Sequence, residues 1–73
     1  MSKVDFYIKG IGKLMYGAME SNNPEEKSLA IKAIQGFIDF SRDDLELTRF
    51  QVCKIVGYGN NAIRKIKRGD KKK

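Results

Sequence analysis

The stretch 48–69 constrains the fold more than any other part of this chain, because its apolar residues fall into two short groups at helical spacing. The residues that carry this pattern are Val52, Cys53, Val56, Ile63 and Ile66. Apolar residues that recur three or four positions apart mark one face of a helix. The first group ends at Gly57 and the second begins after Gly59, so the pattern predicts two short amphipathic helices with a bend between them.

The residues around the predicted bend suit a steep crossing of two helices. Gly57 can adopt the left-handed conformation that ends a helix. Cys53, four positions earlier, is the small residue that a close crossing requires, and we expect it to fill a buried slot. Tyr58 would then turn inward as an apolar plug. The candidates for the cap of the second helix are Gly59, Asn60 and Asn61.

This arrangement resembles the helix-turn-helix of DNA-binding proteins, and among them the excisionase and mercury-resistance-regulator type. The residues that carry the resemblance are Leu47-Thr48, Cys53, Val56-Gly57-Tyr58, Ile63, Ile66 and Arg68-Gly69. They lie within 47–69, which is 23 of the 73 residues. Those families continue into a β-wing, whereas Asp70 and three lysines follow here, so we expect no wing.

The resemblance implies a recognition helix at about 60–68 that enters the major groove of double-stranded DNA. Three residues are predicted to contact bases, because Asn pairs with adenine and Arg with guanine: Asn60, Asn61 and Arg64. A second group is predicted to hold phosphates: Arg49, Lys54, Lys65, Lys67, Arg68, Lys71, Lys72 and Lys73. The predicted function is a small sequence-specific DNA-binding protein, either a transcriptional regulator or an accessory factor such as an excisionase, which would suit a phage or mobile element.

The distribution of charge agrees with that function. Residues 1–44 hold six basic and seven acidic side chains, whereas residues 45–73 hold nine basic and two acidic ones. A basic segment joined to a neutral one is typical of a phosphate-binding module. The same asymmetry would suit an alternative, a helical interaction module or inhibitor that docks its basic face on an acidic partner. That alternative does not need the spacing around Gly57. The tail 70–73 would clamp phosphates or only keep the chain soluble.

Other classes of function find little support in the composition. The chain has one cysteine and no histidine, so it cannot form an internal disulfide or the usual zinc site. We expect no metal, no cofactor and no enzymatic activity, since no residue pattern supplies a catalytic base. The longest apolar runs are two or three residues, so we expect no membrane span and a cytoplasmic location by default.

The first segment, 4–21, carries two competing patterns. Val4, Phe6 and Ile8 alternate as in a strand, but a longer series of apolar residues recurs at helical spacing and favours a helix. Gly10 and Gly12 either let another helix approach closely or mark a break. They do not form a nucleotide-binding loop, because the third glycine of that motif is missing.

The second helix is predicted at about 24–41, with Asn23 as its cap and Pro24 at its first position. Its apolar face is unusually broad and comprises Leu29, Ala30, Ile31, Ala33, Ile34, Phe37, Ile38 and Phe40. The excess could form a dimer interface or wrap around the helix-turn-helix. The next helix has two candidate starts, one at the Asp43/Glu46 pair and one at the Thr48/Gln51 pair, and Phe50 is predicted to pack against the second helix.

The sequence therefore predicts an all-α, four-helix domain that spans 1–73. It would consist of a neutral helical hairpin (1–44), a C-terminal helix-turn-helix (45–69) and a basic tail (70–73). A homodimer could form through the first two helices, which would stabilise so small a domain.

Overall fold

The computed structural model describes residues 2–68, which form three α-helices. They are α1 (Lys3–Glu20), α2 (Pro24–Arg42) and α3 (Arg49–Arg68), and each packs against the other two. The all-α prediction is confirmed, but the prediction of four helices is wrong. The predicted basic tail, 70–73, lies outside the described residues.

Local capping residues decide where the first two helices begin. The Ser2 side chain accepts a hydrogen bond from the Asp5 N–H at 3.2 Å and caps α1. The Asn23 side chain accepts from the Glu25 N–H at 2.9 Å, and Pro24 takes the first position of α2. Both contacts satisfy N–H groups that have no partner within the helix. The first segment is a helix and not a strand, as predicted. The predicted start of α2 is also confirmed.

The third helix begins at the later of its two candidate starts. The Thr48 N–H donates to Gln51 Oε1 at 2.9 Å, and the Gln51 N–H donates to Thr48 Oγ1 at 3.1 Å. This reciprocal pair is a capping box. In the preceding loop the Glu46 N–H donates instead to Asp44 Oδ1 at 3.0 Å, so the Asp43/Glu46 pair caps nothing.

The predicted bend at Gly57 is wrong, because α3 continues through it as one helix of 20 residues. No residue in 2–68 has a positive φ, so Gly57 does not adopt the left-handed conformation. The physical reason is the stripe of α3 that faces the core: Ile55, Gly59, Ala62 and Ile66. These residues are spaced four, three and four apart, which only an unbroken helix places on one side. Burying that stripe outweighs the roughly 1 kcal/mol that a glycine costs inside a helix.

The core stripe of α3 packs tightly against α2 at Gly59. A Cβ atom built on Gly59 would stand 2.7 Å from Ile38 Cδ1 and 3.5 Å from Ile34 Cγ2. Both isoleucines are at most 1% exposed. A side chain at position 59 would therefore push the two helices apart. Gly10 and Gly12 allow similar approaches, so they do not mark a break in α1.

Of three side chains near the predicted bend, two lie elsewhere than expected. Cys53 is exposed rather than in a buried slot. Phe50 is 80% exposed and does not pack against α2. The continuous register explains both, because it turns them to the side opposite Ile55. Tyr58 is half-buried and packs at the edge of the core, as predicted.

Candidate nucleic-acid interface

The side of α3 that faces water is a long surface built from one helix. Because Ile55, Gly59 and Ile66 point into the core, the residues about half a turn away from them are exposed. We call these residues the α3 outer face: Arg49, Phe50, Cys53, Lys54, Gly57, Asn60, Asn61, Arg64, Lys65, Lys67 and Arg68. A helix of this length extends about 30 Å.

The α3 outer face is strongly positive. Helix α3 contains six basic residues and no acidic residue. Within residues 2–68 none of these six cations forms an ion pair or a hydrogen bond through its side chain. Lys65, Lys67 and Arg68 lie in the last turn, where cations also interact favourably with the helix dipole. The dipole explains the choice of charge at that end, but it leaves the ammonium and guanidinium groups free to bind an anion.

The three predicted base-contacting residues share the α3 outer face. Asn60 and Arg64 are one turn apart, and Asn61 lies about 100° further around the helix than Asn60. All three are exposed. Neither asparagine side chain makes a hydrogen bond with the rest of the described chain. Their amide groups are therefore available to an external partner, even though the helix-turn-helix that suggested them is absent.

The predicted phosphate-contacting residues fall into separate groups on α3. Lys65 lies about 100° from Arg64 on one side of the helix and Lys67 about 60° from it on the other. The two lysines therefore flank the predicted base contacts. Arg49 lies at the opposite end of α3, about 28 Å from Arg68 along the axis, so these two residues cannot hold the same phosphate. Lys71, Lys72 and Lys73 lie outside the described residues.

The α3 outer face carries two small residues near its centre, a feature that the sequence analysis did not predict. Cys53 and Gly57 place no bulky side chain between the two ends of the face. Phe50 projects at one end, where it is 80% exposed. The spacing of Phe50, Cys53, Gly57, Asn60 and Arg64 would have revealed this surface if the helix had been assumed to continue through Gly57.

A second charged group joins the start of α1 to the loop before α3. Lys3 Nζ lies 3.0 Å from Asp44 Oδ2 and 2.9 Å from Glu46 Oε1. The Tyr7 hydroxyl donates to Asp44 Oδ2 at 3.1 Å. The hydrogen bond from Lys3, with that from the Glu46 N–H, holds the pKa of Asp44 below its ordinary value. Lys3 is thus already paired, unlike the cations of α3, and the group fixes the loop rather than offering a binding site.

Two of the other pKa values in this group are shifted upward. Hydrogen bonds to Glu46 and Asp44 hold the pKa of Lys3 above its ordinary value. Burial raises the pKa of Tyr7, and its hydrogen bond to Asp44 acts in the same direction. Lys3 and Tyr7 carry their protons at neutral pH even at their ordinary pKa values, and the upward shifts act in the same direction, so both groups donate to Asp44.

Replacing Asp44 with asparagine is expected to lower the melting temperature at pH 7. A carboxyl group whose pKa is depressed by folding contributes stability above its ordinary pKa and loses it as the pH falls through the folded-state value. Asp44 has an ordinary value of 3.8, so the wild-type melting temperature should fall on acidification below about pH 5. The Asp44→Asn variant should show a smaller fall.

Asp43→Asn is the matched control for that experiment, because Asp43 is adjacent, exposed and forms no side-chain hydrogen bond in residues 2–68. Thermal melts of the three proteins, followed by circular dichroism from pH 7 to pH 2, make the comparison. Equal effects of the two substitutions would show that the contacts of Asp44 do not stabilise the fold.

Comparison of the chain with protein-family models, with curated proteins and with solved structures finds no significant match. No helix within residues 2–68 is both long and apolar enough to cross a membrane. In the same part of the chain, no three side chains of the His, Cys, Asp and Glu types come together as metal ligands would.

Proposed function

We propose that this protein binds double-stranded DNA by laying the α3 outer face in the major groove. The observation that carries the proposal is the set of six unpaired cations on α3, with no acidic residue among them and with two free asparagines between them. A helix with its side chains is about 10–12 Å across, and the major groove is about 12 Å wide. A single exposed helix therefore fits the groove, and the third helix of some three-helix DNA-binding domains reads the major groove.

The proposed contacts divide by position around the helix. Arg64, with Asn60 and Asn61, would meet base edges, because these residues lie near the middle of the α3 outer face. Lys65 and Lys67 would reach the phosphates on either side of the groove. This division supports sequence-specific binding, and so a role as a transcriptional regulator or an accessory DNA-binding factor. Small residues at Cys53 and Gly57 would let the helix backbone approach the floor of the groove.

A salt titration of binding to a random-sequence duplex tests the proposal. Each neutralised phosphate releases counterions and contributes about −0.9 to the slope of log K against log salt, so the five α3 cations not assigned to bases give a slope of about −4 to −5. The measurement is fluorescence anisotropy of labelled DNA between about 50 and 200 mM salt. Absence of binding at the low end would overturn the proposal. Equally strong binding to poly-glutamate would favour a module that docks on an acidic protein.

The base and phosphate roles make different predictions for Arg64 and Lys67. Once a preferred sequence has been selected from random DNA, Arg64→Ala should cost roughly 1–3 kcal/mol on that sequence and much less on random DNA. Lys67→Ala should weaken both to the same degree and reduce the salt slope by about 1. The two residues lie one turn apart and are both exposed, so each is a control for the other. Equal losses of Arg64→Ala on both DNAs would contradict the base contact.

A further inference from the structure

The side of the molecule opposite α3 exposes large apolar side chains from α1 and α2. Phe6 is 59% exposed, Leu29 is 65% exposed and Phe40 is 72% exposed. Single exposed apolar residues are ordinary, but several on one face mark an interaction surface. We call this surface the α1–α2 outer face: Phe6, Gly10, Lys13 and Gly17 of α1, and Leu29, Ala33, Gly36 and Phe40 of α2.

The α2 part of this face is symmetric about its own midpoint, between Ile34 and Gln35. Leu29 and Phe40 are equally distant from that point, and so are Ala33 and Gly36. Their spacing of four, three and four residues gives a seven-residue repeat, which is the pattern of paired helices. A second copy of α2 running antiparallel would set Leu29 against Phe40 at both ends. It would set Ala33 against Gly36 at the centre, where small residues let the helices approach.

Two charged residues beside the α2 part of the face, which we call the α2 stripe, favour the antiparallel orientation. Lys32 and Asp39 are both exposed, lie on the side of the α2 stripe away from α1, and form no ion pair in residues 2–68. In the antiparallel pair, Lys32 of each copy stands beside Asp39 of the other, with an offset of about 3 Å along the axis. In a parallel two-fold pair, the two copies of Lys32 would instead lie on opposite sides of the interface, and neither would stand beside Asp39 of the other copy. The charges are therefore complementary in one orientation only.

The α1 part of the face also has a midpoint, and it lies at nearly the same height along the helix axes as the midpoint of the α2 part. Phe6 and Gly17, like Gly10 and Lys13, are equally distant from the point between Ile11 and Gly12. Gly10 packs on the Phe37 ring, so the midpoints of α1 and α2 differ in height by about one residue, or 1.5 Å. One two-fold axis can therefore relate both helices to their copies.

A groove at one end of the face offers room for the aromatic residues at the other end. It has a volume of about 440 Å³ and lies between Leu14 and Gly17 of α1 and Leu29 and Ala33 of α2. The two-fold axis brings Phe6 of the second copy over Gly17 and Phe40 over Leu29. Lys13 lies near the axis, and its long side chain can carry the ammonium group sideways into water.

We infer that two copies of this chain form an antiparallel dimer through the α1–α2 outer face. A second copy is the occupant because the residues of the face are spaced symmetrically about both midpoints, and because Lys32 and Asp39 beside the face are complementary in charge. The two α3 outer faces then lie on opposite sides of the dimer. If α3 binds DNA as proposed, the dimer would join two separate duplexes rather than two adjacent half-sites. Only that consequence depends on the proposed function.

Sedimentation equilibrium without DNA tests the dimer across a range of protein concentrations. The wild-type chain should show a monomer–dimer equilibrium, and Phe40→Ala should weaken it at least tenfold. Phe50→Ala is the matched control, because Phe50 is equally aromatic, 80% exposed and placed on α3. It should leave the dissociation constant unchanged. A monomer at every concentration, or equal effects of the two substitutions, would overturn the inference. If the sedimentation experiment shows no dimer, the proposal that the monomer binds DNA is unaffected.

A charge exchange tests the antiparallel orientation. Lys32→Asp alone places like charges together twice in each dimer, so it should weaken association roughly tenfold. Asp39→Lys alone should have a similar effect, and the double substitution Lys32→Asp/Asp39→Lys should restore the wild-type constant. Both positions are exposed, so the monomer should fold in every case, which circular dichroism verifies. Failure of the double substitution to restore association would overturn the orientation.

Discussion

Alanine at position 59 is expected to lower the free energy of unfolding by about 1–3 kcal/mol, the usual cost of overpacking a core. Its Cβ atom would stand 2.7 Å from Ile38 Cδ1 and 2.8 Å from Ile38 Cγ1. Ile38 is 1% exposed and cannot swing into water. Either helix α2 or the Ile38 side chain must therefore move. The free energy that this movement costs exceeds the gain from the better helix propensity of alanine.

Alanine at position 57 is expected to have the opposite effect. Nothing lies within 4 Å of a Cβ atom built on Gly57, and its φ is not positive. Alanine should therefore stabilise the helix by about 0.5–1 kcal/mol. Urea unfolding of the two variants, at one protein concentration, measures both changes. A stabilising Gly59→Ala with a destabilising Gly57→Ala would contradict the continuous helix and restore the predicted bend.

A double-mutant cycle identifies the cause of the expected loss at position 59. Ile38→Val removes the Cδ1 atom nearest to the new methyl group and alone should cost about 0.5–1.5 kcal/mol. Combined with Gly59→Ala, the total cost should be smaller than the two single costs added together, because the clash is partly relieved. Strict additivity would show that the two side chains do not compete for the same space.

Replacing Lys65, Lys67 and Arg68 together with glutamine is expected to weaken DNA binding by roughly 10²–10³-fold at about 0.1 M salt. Each lost phosphate contact removes a factor of about 8 at that concentration, because fewer counterions are released. The slope of log K against log salt should become shallower by about 3. Anisotropy titrations of the variant and the wild type at several salt concentrations provide both numbers.

A variant that loses charge elsewhere serves as the control. Lys9 and Arg42 are exposed residues of α1 and α2 that belong neither to the α3 outer face nor to the α1–α2 outer face. Replacing both with glutamine should change the affinity and the slope far less for each charge removed. Cations in the last turn also stabilise a helix, so circular dichroism must show that the first variant keeps α3. Equal losses for each charge removed in the two variants would mean that net charge, not α3, governs binding.

Local sequence signals were sufficient wherever a side chain acts on its own backbone neighbours. The Asn23 cap and Pro24 appear in the structure where predicted. The Thr48/Gln51 pair was one of two candidate starts of the third helix, and it is the one that the structure contains. These contacts join residues at most three positions apart, so no knowledge of the rest of the fold is needed.

The candidate site was predicted in composition but not in shape. Asn60, Asn61 and Arg64 remain exposed on one face of a helix, as expected. The turn that was predicted to present them is absent, because α3 is continuous. The prediction of a turn rested on Gly57 and Gly59. Their functions in the structure differ. Gly59 lies in the core against Ile38, whereas Gly57 lies in water. A glycine in a sequence is compatible with both uses.

The helical class, the Asn23 cap with Pro24, and the concentration of positive charge after residue 44 all follow from the amino-acid sequence alone. Each of these depends on the identity of nearby residues alone. Three features depend instead on how the helices pack: α3 is unbroken, Ile55 rather than Cys53 is buried, and Leu29 and Phe40 remain exposed. The physical reason is that burial depends on which surfaces meet. The stripe from Ile55 to Ile66 becomes worth burying only because Ile34 and Ile38 of α2 are there to cover it.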